Sequence, residues 1–170
     1  LVSGETPASL GHSVAALSSL SSRHQENRES IAKLLVARLH SRIAMLTTPG
    51  GAVRVLSALS RLAADSASNQ MAIAKAGGIA PLISWLSGSL DGRHFNPHAQ
   101  REAVHALLSL ASHNATLQAL IAKSNGIAPL IELVDTAGLA TQRYAACSLW
   151  HLAGNSEVGG VIAESGGILP

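Results

Sequence analysis

Three observations predict an all-α solenoid of stacked helical repeats. The first is a stretch that recurs: Ile73-Ala74-Lys75-Ala76-Gly77-Gly78-Ile79-Ala80-Pro81-Leu82-Ile83 returns as Ile121-Ala122-Lys123-Ser124-Asn125-Gly126-Ile127-Ala128-Pro129-Leu130-Ile131. It begins again at Ile162-Ala163-Glu164-Ser165-Gly166-Gly167-Ile168-Leu169-Pro170, and a weaker copy stands at Ile31-Ala32-Lys33, so the Ile-Ala pairs lie 42, 48 and 41 residues apart. The second is an independent element on the same beat, Leu17-x-x-Leu20, Leu59-x-x-Leu62, Leu107-x-x-Leu110 and Leu149-x-x-Leu152, spaced by 42, 48 and 42 residues. The third is composition. The chain is 47% hydrophobic with only 2% aromatic residues, so the apolar load falls on Ala and Leu, good helix formers whose sizes suit closely stacked helices. A repeat period of roughly 40–47 residues marks helical units that bury their apolar faces only against their neighbours.

Each repeat reads as a short, a medium and a long helix. Thr6 to Ser22, with Val14, Leu17 and Leu20 on one face, reads as the last helix of a repeat occupying 1–22. Residues 23–66 form a degenerate repeat. Where later copies have a Gly-Gly corner, this one has Leu35-Val36, so its first two helices are expected to merge and to end before Pro49-Gly50-Gly51; a long helix over Ala52 to Ala64 follows. In the repeat at 67–113, Asn69 to Ala76 form the short helix. Gly77-Gly78 permit a positive φ at the corner, and Pro81 sits in the first turn of the next helix, where its missing N–H costs little. A loop rich in Gly, Asp, Asn and Pro, 88–97, is inserted before the long helix His98 to Ser112. The repeat at 114–155 places helices at Ala115 to Lys123, Ile127 to Val134 and Ala140 to Ala153, and 156–170 opens one more with Val158 to Glu164. The whole is expected to be one array cut from a longer solenoid, because exposed apolar ends need capping repeats.

Composition also bounds function. Nine Arg and three Lys against ten acids give a formal charge of +2 without a polybasic run, which argues against a nucleic-acid partner. The single Cys147 precludes an intrachain disulfide and fits a reducing compartment, so a cytoplasmic or nuclear location is expected. No apolar run reaches the length of about 18 residues that a transmembrane helix needs, and the first residues lack the zones of a signal peptide. No nucleophile elbow, phosphate-binding glycine loop or C-x-x-C pair occurs, so no catalytic residue, cofactor or small-molecule substrate is expected.

The corners at 77–83, 125–131 and 166–170, together with the long helices at 100–111 and 142–153, resemble the armadillo repeat family. The resemblance implies a right-handed superhelix of three-helix repeats whose third helices line a concave groove, and a function of binding extended peptides or partner proteins there. In the nuclear-import adaptors of that family the groove carries a Trp and, four residues on, an Asn. Those positions fall here at Ala15 and Ser19, Ser57 and Arg61, His105 and Ser109, and Cys147 and His151, so that function does not carry over.

Helical spacing of i and i+4 would align Arg101, His105, Ser109 and His113 on one third helix and Arg143, Cys147, His151 and Asn155 on the next, with Arg61 extending the stripe. Such a groove is basic and histidine-rich. It would suit an acidic or phosphorylated segment, since Arg grips carboxylates and phosphates with paired hydrogen bonds; the alternative is an unused solvated face. A zinc site from Cys147, His105 and His151 lacks a fourth ligand and asks side chains to meet across helices roughly 8–10 Å apart. Phe95, the only Phe, would be a loop contact if exposed and structural if tucked against the core. The expected function is a non-catalytic protein-protein interaction scaffold. The other functional readings are the substrate-recruiting region of a longer enzyme, such as a U-box-type ubiquitin ligase, or a lipid-anchored scaffold.

Overall fold

The computed structural model describes residues 25–40, 50–64, 66–88 and 95–167. They form α1 (Gln25–His40), α2 (Gly51–Ala63), α3 (Ala67–Lys75) and α4 (Ile79–Ser84), the last continued by a 3-10 turn at Trp85–Ser87. Then come α5 (Pro97–Ala111), α6 (Ala115–Lys123), α7 (Ile127–Thr136), α8 (Leu139–Ala153) and α9 (Ser156–Glu164). No strand occurs among the described residues. From α2 onward the helices whose bounds are expected start and stop within two residues of them, and Pro81 lies in the first turn of α4. The helix expected at 6–22 lies outside the described residues, as does most of the inserted loop.

Local chemistry explains the boundaries. Ser66, Asn114 and Asn155 precede α3, α6 and α9, and each side chain accepts a hydrogen bond from a first-turn N–H that has no partner within its helix. Asn96 does the same for His98 and Ala99, with Pro97 at the first helical position. The corner glycines do two different things. Gly77 and Gly166 adopt φ of 81° and 80°, and Asn125 fills the same place at 60°, which Asn tolerates better than most residues. Gly78, Gly126 and Gly167 have no room for a side chain: a Cβ on Gly78 would lie 2.8 Å from Ile73 Cγ2, and one on Gly126 equally close to Ile121 Cγ2.

Without that pair, α1 runs unbroken through Leu35-Val36 to His40, and both residues are buried. Val36 packs where the corner of the following repeat comes close, its Cγ2 3.1 Å from the place a Gly78 Cβ would take. Residues 41–49, where the merged helix is expected to end, lie outside the described residues.

The long helices α2, α5 and α8 pack side by side in that order, α1 and α3 lie behind α2, and α7 and α9 back α8. One continuous apolar core runs between them from Ile31 to Ile162. Polar ties join successive repeats along the short helices: Arg28 Nη1 donates to Ser68 Oγ at 2.7 Å, Asn114 Nδ2 to Gln70 Oε1 at 2.9 Å, and Asn155 Nδ2 to the Ala115 carbonyl at 3.2 Å. Two of the capping residues thus also hold the preceding repeat. No helix among the described residues is long and apolar enough to cross a membrane.

Candidate functional site

The surface of α2, α5 and α8 is where the expected site residues gather, and its charge is one-sided. The three helices carry Arg54, Arg61, Arg101 and Arg143, with His98, His105 and His151, against a single acid, Glu102. Among the described residues the other acids lie elsewhere: Glu26 and Glu29 on α1, Glu132 and Asp135 on α7, Glu157 and Glu164 on α9. Burial of Leu56, Leu59 and Leu62 on one side of α2 leaves Arg61 exposed, and burial of Ala145, Ser148 and Leu152 leaves Arg143 and Cys147 exposed on α8.

Three residues differ from the simple stripe. Ser109 is only 9% exposed, and its hydroxyl donates to the His105 carbonyl at 3.0 Å, so it offers the surface nothing. The reason is geometric: each four-residue step overshoots a 3.6-residue turn by roughly 40°, so two steps from Arg101 rotate Ser109 off the face and into the packing. Arg101 is not a bare cation; its guanidinium holds Glu102 Oε1 at 3.0 Å. His105 is half-buried and stacks on Tyr144 of α8, with ring centroids 4.6 Å apart. Glu102 and Tyr144 have no signal in the sequence, because neighbours at i and i+1 do not face each other on a helix and a contact between helices leaves no spacing pattern.

At the far end, His151 is half-buried and meets two rings edge-on: His113 at 5.7 Å and Trp150 at 4.8 Å between centroids. Its pKa is held below the ordinary imidazole value, chiefly by burial and further by His113. His113 itself lies beyond the end of α5, in the turn to α6, with φ of 56°. Trp150 is 72% exposed. Among the described residues no group of three or more His, Cys, Asp or Glu side chains is placed to hold a metal, and Cys147, His105 and His151 do not form one.

Phe95 is 62% exposed, and its ring lies over Gly88, whose lack of a side chain gives it space. The Asn96 N–H donates to the Gly88 carbonyl at 2.7 Å, closing the base of the inserted loop. Phe95 also borders a cavity of about 670 Å³ between the medium-to-long turns of two repeats, lined by Leu86, Gln100, Leu133 and Thr141. None of the candidate groove residues lines that cavity.

No protein-family model and no curated protein matches the chain. Solved structures do. An engineered protein is 23% identical, with a TM-score of 0.76 over 98% of this chain and 66% of its own. A designed armadillo repeat protein solved in complex with the peptide (KR)4 is 20% identical, with a TM-score of 0.75 over 95% of this chain and 66% of its own. A computationally designed armadillo repeat protein for modular peptide recognition is 19% identical, with a TM-score of 0.72 over 98% of this chain and 68% of its own. The chain therefore spans about two thirds of the length of these structures. Its fold is that of the armadillo repeat, an all-α, right-handed solenoid of three-helix units.

Proposed function

We propose that the chain is a non-catalytic interaction scaffold that binds an extended acidic or phosphorylated protein segment along the surface formed by α2, α5 and α8. The observation that carries this reading is the excess of cations on the three long helices: four arginines against one acid, with the other acids among the described residues on α1, α7 and α9. The designed armadillo repeat protein of similar fold was solved with a lysine-arginine peptide. The charge on the long helices here has the sign that would repel such a peptide and attract its opposite. Arg61 and Arg143 supply the attraction with least competition, since Arg101 must first share Glu102.

Each exposed ion pair contributes about 0.2–1 kcal/mol, so affinity must accumulate over several repeats and weaken with salt. The test is fluorescence anisotropy with a fluorescein-labelled decapeptide of alternating Glu and Ser, beside its Lys-Ser counterpart. The acidic peptide should bind, the basic one should not, and the Arg61→Glu/Arg101→Glu/Arg143→Glu variant, shown folded by circular dichroism, should lose the interaction. Equal binding of both peptides, or of the acidic peptide by parent and variant, sinks the reading.

A further inference from the structure

We propose that His113, His151 and Trp150 form a seat for one carboxylate side chain of the bound segment, and that this seat makes binding tighten as pH falls. The inference rests on the reading above, that the long-helix surface takes an acidic segment. It adds a place and a proton dependence.

The seat is a cleft of about 430 Å³ lined by His113, Gln118, Trp150, His151, Ala153 and Gly154, with no acidic side chain in its wall. The two imidazoles come from different repeats. His151 is on the last turn of α8, whereas His113 is held by a backbone conformation that side-chain-bearing residues adopt at a cost, φ 56°, between extended Ser112 and the capping Asn114. The rings meet edge to face at 76°. Trp150, largely exposed, closes one side with an apolar wall next to His151.

Two imidazoles in this arrangement are compatible while at least one is neutral. Protonating both would set like charges across 5.7 Å. The pKa of His151 is lowered first by burial, and the neighbouring His113 lowers it further. The other titratable groups on the elements around His151 are His98, Arg101, Glu102 and His105 on α5, Lys123 on α6, Glu132 and Asp135 on α7, and Glu157 and Glu164 on α9, with Arg143, Tyr144 and Cys147 on α8 itself. None of them contributes to the shift. No acidic side chain lines the cleft, so a ligand carboxylate meets no competitor for the two rings there. A carboxylate against the pair stabilises the protonated rings, so binding takes up protons, and by linkage acid pH strengthens binding.

The experiment is the anisotropy titration of the Glu-Ser decapeptide at pH 8 and pH 6 at constant ionic strength, with the parent, His151→Gln and His113→Asn. Asn tolerates the left-handed conformation, so the second variant keeps the turn. The peptide carboxylates stay ionised at both pH values. The parent should bind about tenfold more tightly at pH 6, the size of one charge-assisted hydrogen bond, and in both variants the ratio of the two affinities should fall most of the way to one. Equal affinity at the two pH values, or variants that tighten as the parent does, overturns the seat and leaves the scaffold reading standing. Absence of binding at both pH values overturns both.

Discussion

The imidazole of His105 lies flat on the ring of Tyr144, with centroids 4.6 Å apart and planes 8° from parallel. One ring comes from α5 and the other from α8, so the stack bridges two repeats. In a solenoid, where each unit touches only its neighbours, stability is a sum of repeat and interface contributions, and this pair belongs to an interface. Stacked rings add about 0.5–1.5 kcal/mol beyond the area they bury. A double-mutant cycle of His105→Ala and Tyr144→Ala, read by urea denaturation, should give a coupling in that range. A coupling indistinguishable from zero would show that the stack is incidental.

The corner glycines should respond differently to the same substitution. A Cβ on Gly77 would meet nothing within 4 Å, so Gly77→Ala costs only backbone strain, about 1–2 kcal/mol, and Gly77→Asn costs less because Asn125 already occupies the matching place. Gly78→Ala instead drives a methyl group toward Ile73 Cγ2 at 2.8 Å and the Ile73 carbonyl at 3.0 Å, an overpacking cost of about 1–3 kcal/mol that Asn would worsen. Gly160, inside α9 with open space around it, should be stabilised by about 1 kcal/mol on change to Ala. Urea midpoints of these variants, with Gly78→Asn beside them, check the pattern; a Gly78→Asn protein as stable as Gly77→Asn would contradict it.

The repeat architecture is legible in the sequence because it is written locally, and redundantly. Glycine corners, a proline inside each medium helix and the Leu-x-x-Leu beat in the long helices all mark the same units, and even the loss of the corner at Leu35-Val36 reads directly as a continuous α1. The candidate surface is legible only in part. Helical spacing identifies which long helix carries Arg61, Arg143 or His151, but it ignores the slow rotation that buries Ser109. It also says nothing of contacts across helices, so the Arg101–Glu102 pair and the His105–Tyr144 stack have no signature. The same spacing puts His113 on a helical stripe, whereas the left-handed turn after α5 is what aims it at His151.

Asn114 has two jobs that substitution can separate. Its side-chain oxygen accepts from the Leu117 N–H at 3.2 Å, capping α6, while its Nδ2 donates to Gln70 Oε1 at 2.9 Å, tying α6 to α3. Asn114→Ser keeps a cap and removes the tie; Asn114→Ala removes both. The cap contributes about 1 kcal/mol and a part-buried hydrogen bond a similar amount. Chemical denaturation should therefore rank parent, Ser and Ala in falling stability by roughly equal steps. A Ser variant as stable as the parent would mean the tie adds nothing.

The lowered pKa of His151 makes a prediction about acid stability. In the unfolded chain its imidazole titrates near about 6.5. In the folded chain burial, and secondarily His113, hold it lower. Between the two values the unfolded state carries more protons than the folded state, so the free energy of unfolding rises with pH across that window. The stability that comes from keeping His151 neutral is thus fully present above the unfolded value and is lost as pH falls through the folded one. Melting temperature followed from pH 8 down to pH 5 at constant ionic strength should fall more steeply for the parent than for His151→Gln once pH drops below about 6.5, while the two curves run parallel above it. His113→Asn removes the neighbouring charge but not the burial, so its curve should lie between them. If parent and His151→Gln stay parallel over the whole range, the ring is not held neutral by its surroundings, and the conflict between the two imidazoles is absent in solution.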